Sequence, residues 1–304
     1  MGVGHDHASG TNNRTRLLIA FIITVGVVIA QAVGAIVTGS LALLVDTAHM
    51  LTDSAGLLMA LIAAGLMQRP ATNKHSWGLK RTEVLSAMAQ SSLLFAVGIY
   101  ALVEGVRRLF DPPEIQAGSL VIFGIIGLLA NIAAMIVLTS GRNSNLNMRA
   151  AFLEVVNDAL GSVGVILSAI VIALFGWYQA DAVAGILIAL LIVPRTIILL
   201  KASLGVLLES TPRGIDPEAV RAHIMEMDHV TAVHDLHITR ISSDLPVLTA
   251  HVIVDDSCFR DGHAAEMLPA LQQCVAEHFE LSIEHSTFQI EPESNIDEEH
   301  VHHH

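Results

Sequence analysis

Six stretches of this chain are too apolar and too long to be read as ordinary core helices. They run Leu17–Val37, Leu41–Met67, Val84–Leu109, Ser119–Leu138, Ala151–Phe175 and Ala182–Leu200. An apolar helix needs about 20 residues to cross a bilayer. Hydrophobic residues make up 53% of the chain and charged ones only 15%, so most of the charge is left to the segments between and after these runs. The pattern predicts six transmembrane helices. Pro194 and Arg195 in the last run predict a kink or an exit from the membrane there. The first run leads straight into others, which argues against a cleavable signal peptide.

The connecting segments set an expected orientation. Arg69, Lys74, Lys80 and Arg81 follow the second run, and Arg142 and Arg149 follow the fourth. Arg14 and Arg16 precede the first run, and Lys201 and Arg213 follow the last. Excess Lys and Arg stays on the cytoplasmic side, so both termini are expected inside an inner or plasma membrane of bacterial type. Arg107 and Arg108 lie near the outer end of the third run, where Glu104 or Asp111 offers a partner.

Two patterns place ionisable groups inside this apolar sequence. His49 and Asp53 stand four residues apart in the second run, and Glu154 and Asp158 four apart in the fifth. An i, i+4 pair shares one face of a helix. Ionisable groups at membrane depth are costly and mark ion pathways. One imidazole and three carboxylates from two helices suit a divalent cation such as zinc. Binding needs neutral imidazole and ionised carboxylates, so metal and protons compete for the same lone pairs. His49 is the natural proton carrier near neutral pH, and a carboxylate in low dielectric could share the role. Asp46 reads as a helix-packing group or an entry carboxylate, and Asn157 as a support for the ligands.

After about Glu209 the composition changes. Thr211 to Pro217 carries turn residues and a helix start. A helix is expected from Pro217 to about Met227 and strands over Val230–Ile241 and Pro246–Val254. A helix over His263–Phe279 and a strand over Ile283–Glu291 follow. That order predicts a small α+β domain with helices on one face of a sheet. The formal net charge of −13 makes nucleic acid an unsuitable partner. Cys258 and Cys274 are the only cysteines. Two thiols cannot make a disulfide framework or a Cys-x-x-Cys zinc site and read as free thiols in a reducing compartment. Residues 1–13 are expected to be disordered and His-containing, and 294–304 form a tail rich in His and acid.

Several stretches carry a family resemblance. They are Ser40 to Asp53, Asn147 to Ser162, Trp77 to Glu83, His234-Asp235-Leu236-His237 and Glu284 to Glu291. Through them the chain resembles the cation diffusion facilitator family in its zinc/cobalt/cadmium-resistance branch. The resemblance implies a transmembrane transport domain over 14–208 and a cytoplasmic ferredoxin-like domain over 209–293. It further implies a homodimer and export of a divalent metal against inward protons, and it makes His49, Asp53, Glu154 and Asp158 the transport site. Zinc members usually carry His where Glu154 stands. The harder donor set keeps zinc first and leaves manganese, iron or cobalt as rival substrates. His234, His251 and His285 fall where relatives bind regulatory metal, with Glu291 as a further ligand. The metal-binding loop of some relatives keeps only His75 here, with Thr72 and Leu79 at its other places. Arg81 and Glu209 look like the family's interdomain charge pair. An intramembrane metallo-enzyme is disfavoured because no His-Glu-x-x-His occurs, and a membrane-anchored metal sensor is a remote alternative.

Overall fold

The computed structural model describes residues 7–139, 146–279 and 281–295. The chain divides into two compact units. One comprises Met1–Leu61 and Ala89–Leu200, the other Ile62–Met88 and Lys201–His304.

Six long helices come first: α1 (His7–Thr38), α2 (Leu41–Met67), α3 (Thr82–Phe110), α4 (Ala117–Thr139), α5 (Leu146–Phe175) and α6 (Gln179–Leu207). Among the described residues, α3, α4 and α6 and the apolar parts of α1 and α5 are long and apolar enough to cross a membrane. The sixth, α2, has 27 residues and carries Asp46, His49 and Asp53. One expectation changes. Helix α1 begins at His7, so 7–13 is helical where disorder was expected, and residues 1–6 and 296–304 lie outside the described residues. Helix α6 continues as a helix through Pro194 to Leu207.

The helices pack by the logic of a lipid solvent. In α4 the buried residues are Leu120, Gly124, Gly127, Asn131, Ala134 and Leu138, a single stripe at helical spacing. Its large apolar residues, among them Ile122, Leu129 and Ile136, face outward. Lipid is as apolar as a side chain, so small residues define the interfaces by letting helices approach closely. A Cβ on Gly124 would press on Ile166 of α5, and one on Gly34 of α1 on the ring of Phe123. On the other side Leu41 and Val45 of α2 pack with Leu94 and Ala101 of α3 and Ala189 and Ile192 of α6.

The start of α2 is tied to α6. Gly39 ends α1 in the left-handed conformation, with φ of 68°. Ser40 then caps α2, its hydroxyl accepting from Leu43 N–H at 3.1 Å and donating to the Asp181 carboxylate. Asp181 also accepts from the N–H groups of Leu41 at 2.6 Å and Ala42 at 3.4 Å. Helix N-termini leave such donors unsatisfied, and lipid supplies no water to meet them. Arg108 donates to Glu104 at 2.9 Å and to the Gly39 carbonyl at 2.7 Å, which accounts for a guanidinium near that end of α3.

In the second unit, α7 (Pro217–Met225) is capped by Asp216, which accepts from Glu218 N–H at 3.1 Å. Then follow β1 (Val230–Ser242), β2 (Leu245–Val254), the single turn α8 (Cys258–Asp261), α9 (His263–Glu277) and β3 (His285–Pro292). The sheet order is β1-β2-β3, with β1 and β2 antiparallel and β2 and β3 parallel. One face is covered by α7 and α9. Val220 and Ile224, Leu248 and Val252, and Leu271 and Val275 meet there in the core. Alternation sends His234, His251 and Glu291 to the other face. In the same unit Arg81 donates to Glu209 at 2.9 Å and Ser243 to Glu83 at 2.6 Å. An exposed pair such as Arg81–Glu209 is worth only about 0–1 kcal/mol.

Helix α9 opens on a pH-sensitive contact. The Asp261 carboxylate lies 2.9 Å from His263 Nδ1 and accepts from His263 N–H at 3.2 Å. The hydrogen bond and then the charge of Asp261 hold the imidazole above its ordinary value, while the same hydrogen bonds hold Asp261 below its own. Stabilisation by His263 is complete below its unfolded pKa and is lost as pH rises through the raised value. That by Asp261 is present above its unfolded pKa and is lost as pH falls through the depressed one. NMR titration is expected to find His263 above the usual histidine midpoint and to see Asp261→Asn bring it back. An unchanged midpoint in the variant would refute the pairing.

Candidate metal centre

In the helical unit, α2 and α5 bring the predicted ligands together. His49 and Asp53 are one turn apart on α2, with Nδ1 and Oδ2 separated by 3.3 Å. Glu154 of α5 completes a group whose ligand atoms all lie within 4.8 Å of one another. A tetrahedral ion with bonds of about 2.0–2.2 Å needs ligand atoms about 3.3–3.6 Å apart, so small side-chain rotations close this group on a cation. Asp158 is one turn further along α5, buried, and in electrostatic range of Asp53 and Glu154. His49 Nδ1, Asp53 Oδ2 and Asp158 Oδ1 are buried and make no hydrogen bond among the described residues. Buried polar atoms are normally satisfied. Two of these atoms belong to the His49, Asp53 and Glu154 group, which Asp158 does not join, and such unpaired acceptors are what a cation would satisfy.

Two neighbours shape this centre. Arg195 of α6 reaches to 3.7 Å from Glu154. A guanidinium beside one of the three carboxylates offsets part of their repulsion. The only sequence signal for it was a cation in an apolar helix, next to the proline that suggested an exit. Asp46 sits one turn before His49, buried, and accepts from Gln31 of α1 at 3.2 Å. Gly161 of α5 leaves the space that this carboxylate fills, since a Cβ there would collide with it. Asp46 thus joins α2 to α1 and α5.

On the open face of the sheet the second expected site takes a different form. His234 and His251 are directly opposed across β1 and β2, rings 5.0 Å apart. Glu291 of β3 lies 2.8 Å from His251 Nδ1 and 4.0 Å from His234 Nε2. These three form a group within 4.8 Å, two nitrogens and an oxygen, which fits a divalent metal. A bulge between His234 and His237, with Asp235 at φ of 50°, brings the Asp235 carboxylate within 3.8 Å of His251. His285 is elsewhere. It begins β3, six residues from Glu291 and so about 20 Å away along the strand, with its ring 4.7 Å from that of Trp77. The structure puts Glu291, not His285, with the other two.

Residues 17–208 match the family described as the cation efflux transmembrane domain, and residues 212–293 the cation efflux protein cytoplasmic domain. The chain belongs to the cation diffusion facilitator family. This transporter is 42% identical to the metal cation efflux system protein CzcD of Cupriavidus metallidurans, over 96% of its own length and 90% of that protein. It is 37% identical to a cadmium, cobalt and zinc/H(+)-K(+) antiporter of Bacillus subtilis, over 96% and 93% of the two chains. Against the zinc transporter ZitB of Escherichia coli the identity is 37%, with both chains covered in full.

Proposed function

We propose that this chain exports divalent metal from the cytoplasm in exchange for protons, with zinc first and cadmium and cobalt as further substrates. His49 and Asp53 of α2 and Glu154 and Asp158 of α5 hold the ion. The observation that carries this reading is the meeting of His49, Asp53 and Glu154 within 4.8 Å on two apolar helices, in a chain whose relatives are named for zinc, cadmium and cobalt. Both termini lie in the cytoplasm, and the C-terminal domain pairs two copies into a homodimer.

Each ligand lone pair takes either the metal or a proton. Loading from the inside deprotonates the group, and protons that replace the departing metal outside are carried back on the return step. Arg195 limits how negative the refilled site becomes. On the sheet, His234, His251 and Glu291 would hold a regulatory ion, which would stabilise the closed form of that domain by mass action.

The test is uptake into inside-out proteoliposomes under an imposed pH gradient, with zinc, cadmium, cobalt and manganese compared. Zinc flux that collapses with the gradient supports the exchange, and gradient-independent accumulation removes it. A carboxylate-rich donor set favours harder cations more than an imidazole-rich one does, which keeps manganese, iron or cobalt as a second reading of the same exchanger. Glu154→His is therefore expected to lower manganese and cobalt flux relative to zinc by about tenfold, or ~1.4 kcal/mol. Equal changes for all metals would take selectivity away from this position.

A further inference from the structure

A third group of ligand atoms lies apart from both of these, at the seam of α7 and α9 on the covered side of the sheet. His223 of α7, Cys274 of α9 and His278, the C-cap of α9, present donor atoms within 4.8 Å of one another. His223 Nε2 and His278 Nδ1 are 2.8 Å apart, their rings edge to face with centroids 4.9 Å apart. Cys274 and His278 are one helical turn apart and so share a face. Glu226, the residue that caps α7, holds a carboxylate oxygen 3.6 Å from His223 Nδ1. The ring of Phe279 stands edge-on to His223, with centroids 5.6 Å apart.

The two cysteines differ in a way that matters. Cys258 is wholly buried within the hydrophobic core. Cys274 is 5% exposed and lies outside that core cluster, with its sulfur turned toward two imidazoles. A plain packing thiol does not need histidines on both helices converging on it. Two imidazole nitrogens and one sulfur make three of the four donors of a tetrahedral zinc-type site, and a carboxylate on the other ring nitrogen of a ligating histidine is the usual orienting partner. Sulfur biases that set toward softer ions than the oxygen-rich centre in the helices accepts.

We propose that His223, Cys274 and His278 form a binding site for a divalent cation of the zinc and cadmium kind, with Glu226 orienting His223 through its far ring nitrogen and a solvent molecule as fourth ligand. It would bridge α7 to α9 on the side of the sheet opposite His234, His251 and Glu291. Binding displaces the thiol proton, so affinity rises with pH. The bridge fastens the two helices that cover the sheet, and occupancy raises the stability of this domain.

The sulfur gives a specific readout, because the proposed transport ligands and the His234 group contain none. The full-length protein in detergent is titrated with cadmium, and separately with cobalt, while thiolate-to-metal charge transfer is followed in the near ultraviolet. The expected result is a saturable band that survives Cys258→Ser and is lost in Cys274→Ser. His278→Gln changes an exposed side chain that the fold does not need, and it is expected to weaken the titration by at least about tenfold. Cadmium should raise the melting temperature of the native chain more than that of Cys274→Ser. Absence of any band, a band that persists in Cys274→Ser, or a titration unchanged by His278→Gln overturns the site.

Discussion

Asp158→Asn is expected to reduce gradient-driven metal flux by more than about 100-fold while leaving the fold intact. The substitution keeps the shape and removes the charge. Asp158 is buried, and its Oδ1 has no hydrogen-bond partner among the described residues, so a transported cation is the group that would lose most by the change. Removing one partner from a buried charge pair costs about 3–5 kcal/mol, and each ~1.4 kcal/mol is tenfold in affinity. Metal bound per chain, measured alongside flux, should fall by the transport-site ion alone. A melting temperature close to that of the native chain would separate this from misfolding. Flux within about threefold of native, equivalent to ~0.65 kcal/mol, would make Asp158 an interhelical packing group and remove it from the site.

Asp158 and its three companions stood out in the sequence as candidates because an ionisable group in an apolar run is costly, although Asp46 and Asp181 show that such a group also serves packing or a helix cap. The i, i+4 spacing also gives a face without any tertiary knowledge. The C-terminal domain was readable for a similar reason, since alternation over Val230–Ile241 and Pro246–Val254 is strong and Asp216-Pro217 announces a helix. What escaped depended on register or on distance in the chain. His285 and Glu291 lie on one strand and one face, so alternation cannot choose between them. The pairing of His251 with Gln289 sets the choice, because it places Glu291 diagonally beside His251. Arg195 and Glu154 meet only because α5 and α6 pack, and Pro194 obscured this by suggesting an exit. Helix α6 tolerates that proline with its backbone unbroken. The seam of His223, Cys274 and His278 joins two helices that are separated by two strands, which no local spacing reveals.

Asp181→Ala is expected to give the largest loss of stability among single changes in the helical unit. Its carboxylate accepts from Ser40 Oγ and from the first two N–H groups of α2, and Ser40, Leu41 and Ala42 are essentially fully buried. Alanine leaves these donors without a partner where water cannot reach. Each orphaned buried donor costs about 1–3 kcal/mol, so a total of about 2–6 kcal/mol follows even if one of the three re-pairs. Helix α2 carries His49 about 12 Å beyond Leu41 at 1.5 Å per residue, so a loosened first turn also changes where the ligands stand. Both the melting temperature and metal flux should fall. Asp181→Asn keeps an acceptor oxygen for the helix N-terminus and an amide that can donate to the Ser40 hydroxyl, and it should recover most of the stability. If Asp181 instead carried protons or metal, alanine and asparagine would abolish flux alike with little change in melting temperature. A graded loss of stability, with flux following it, identifies the carboxylate as the cap that holds α2 in position.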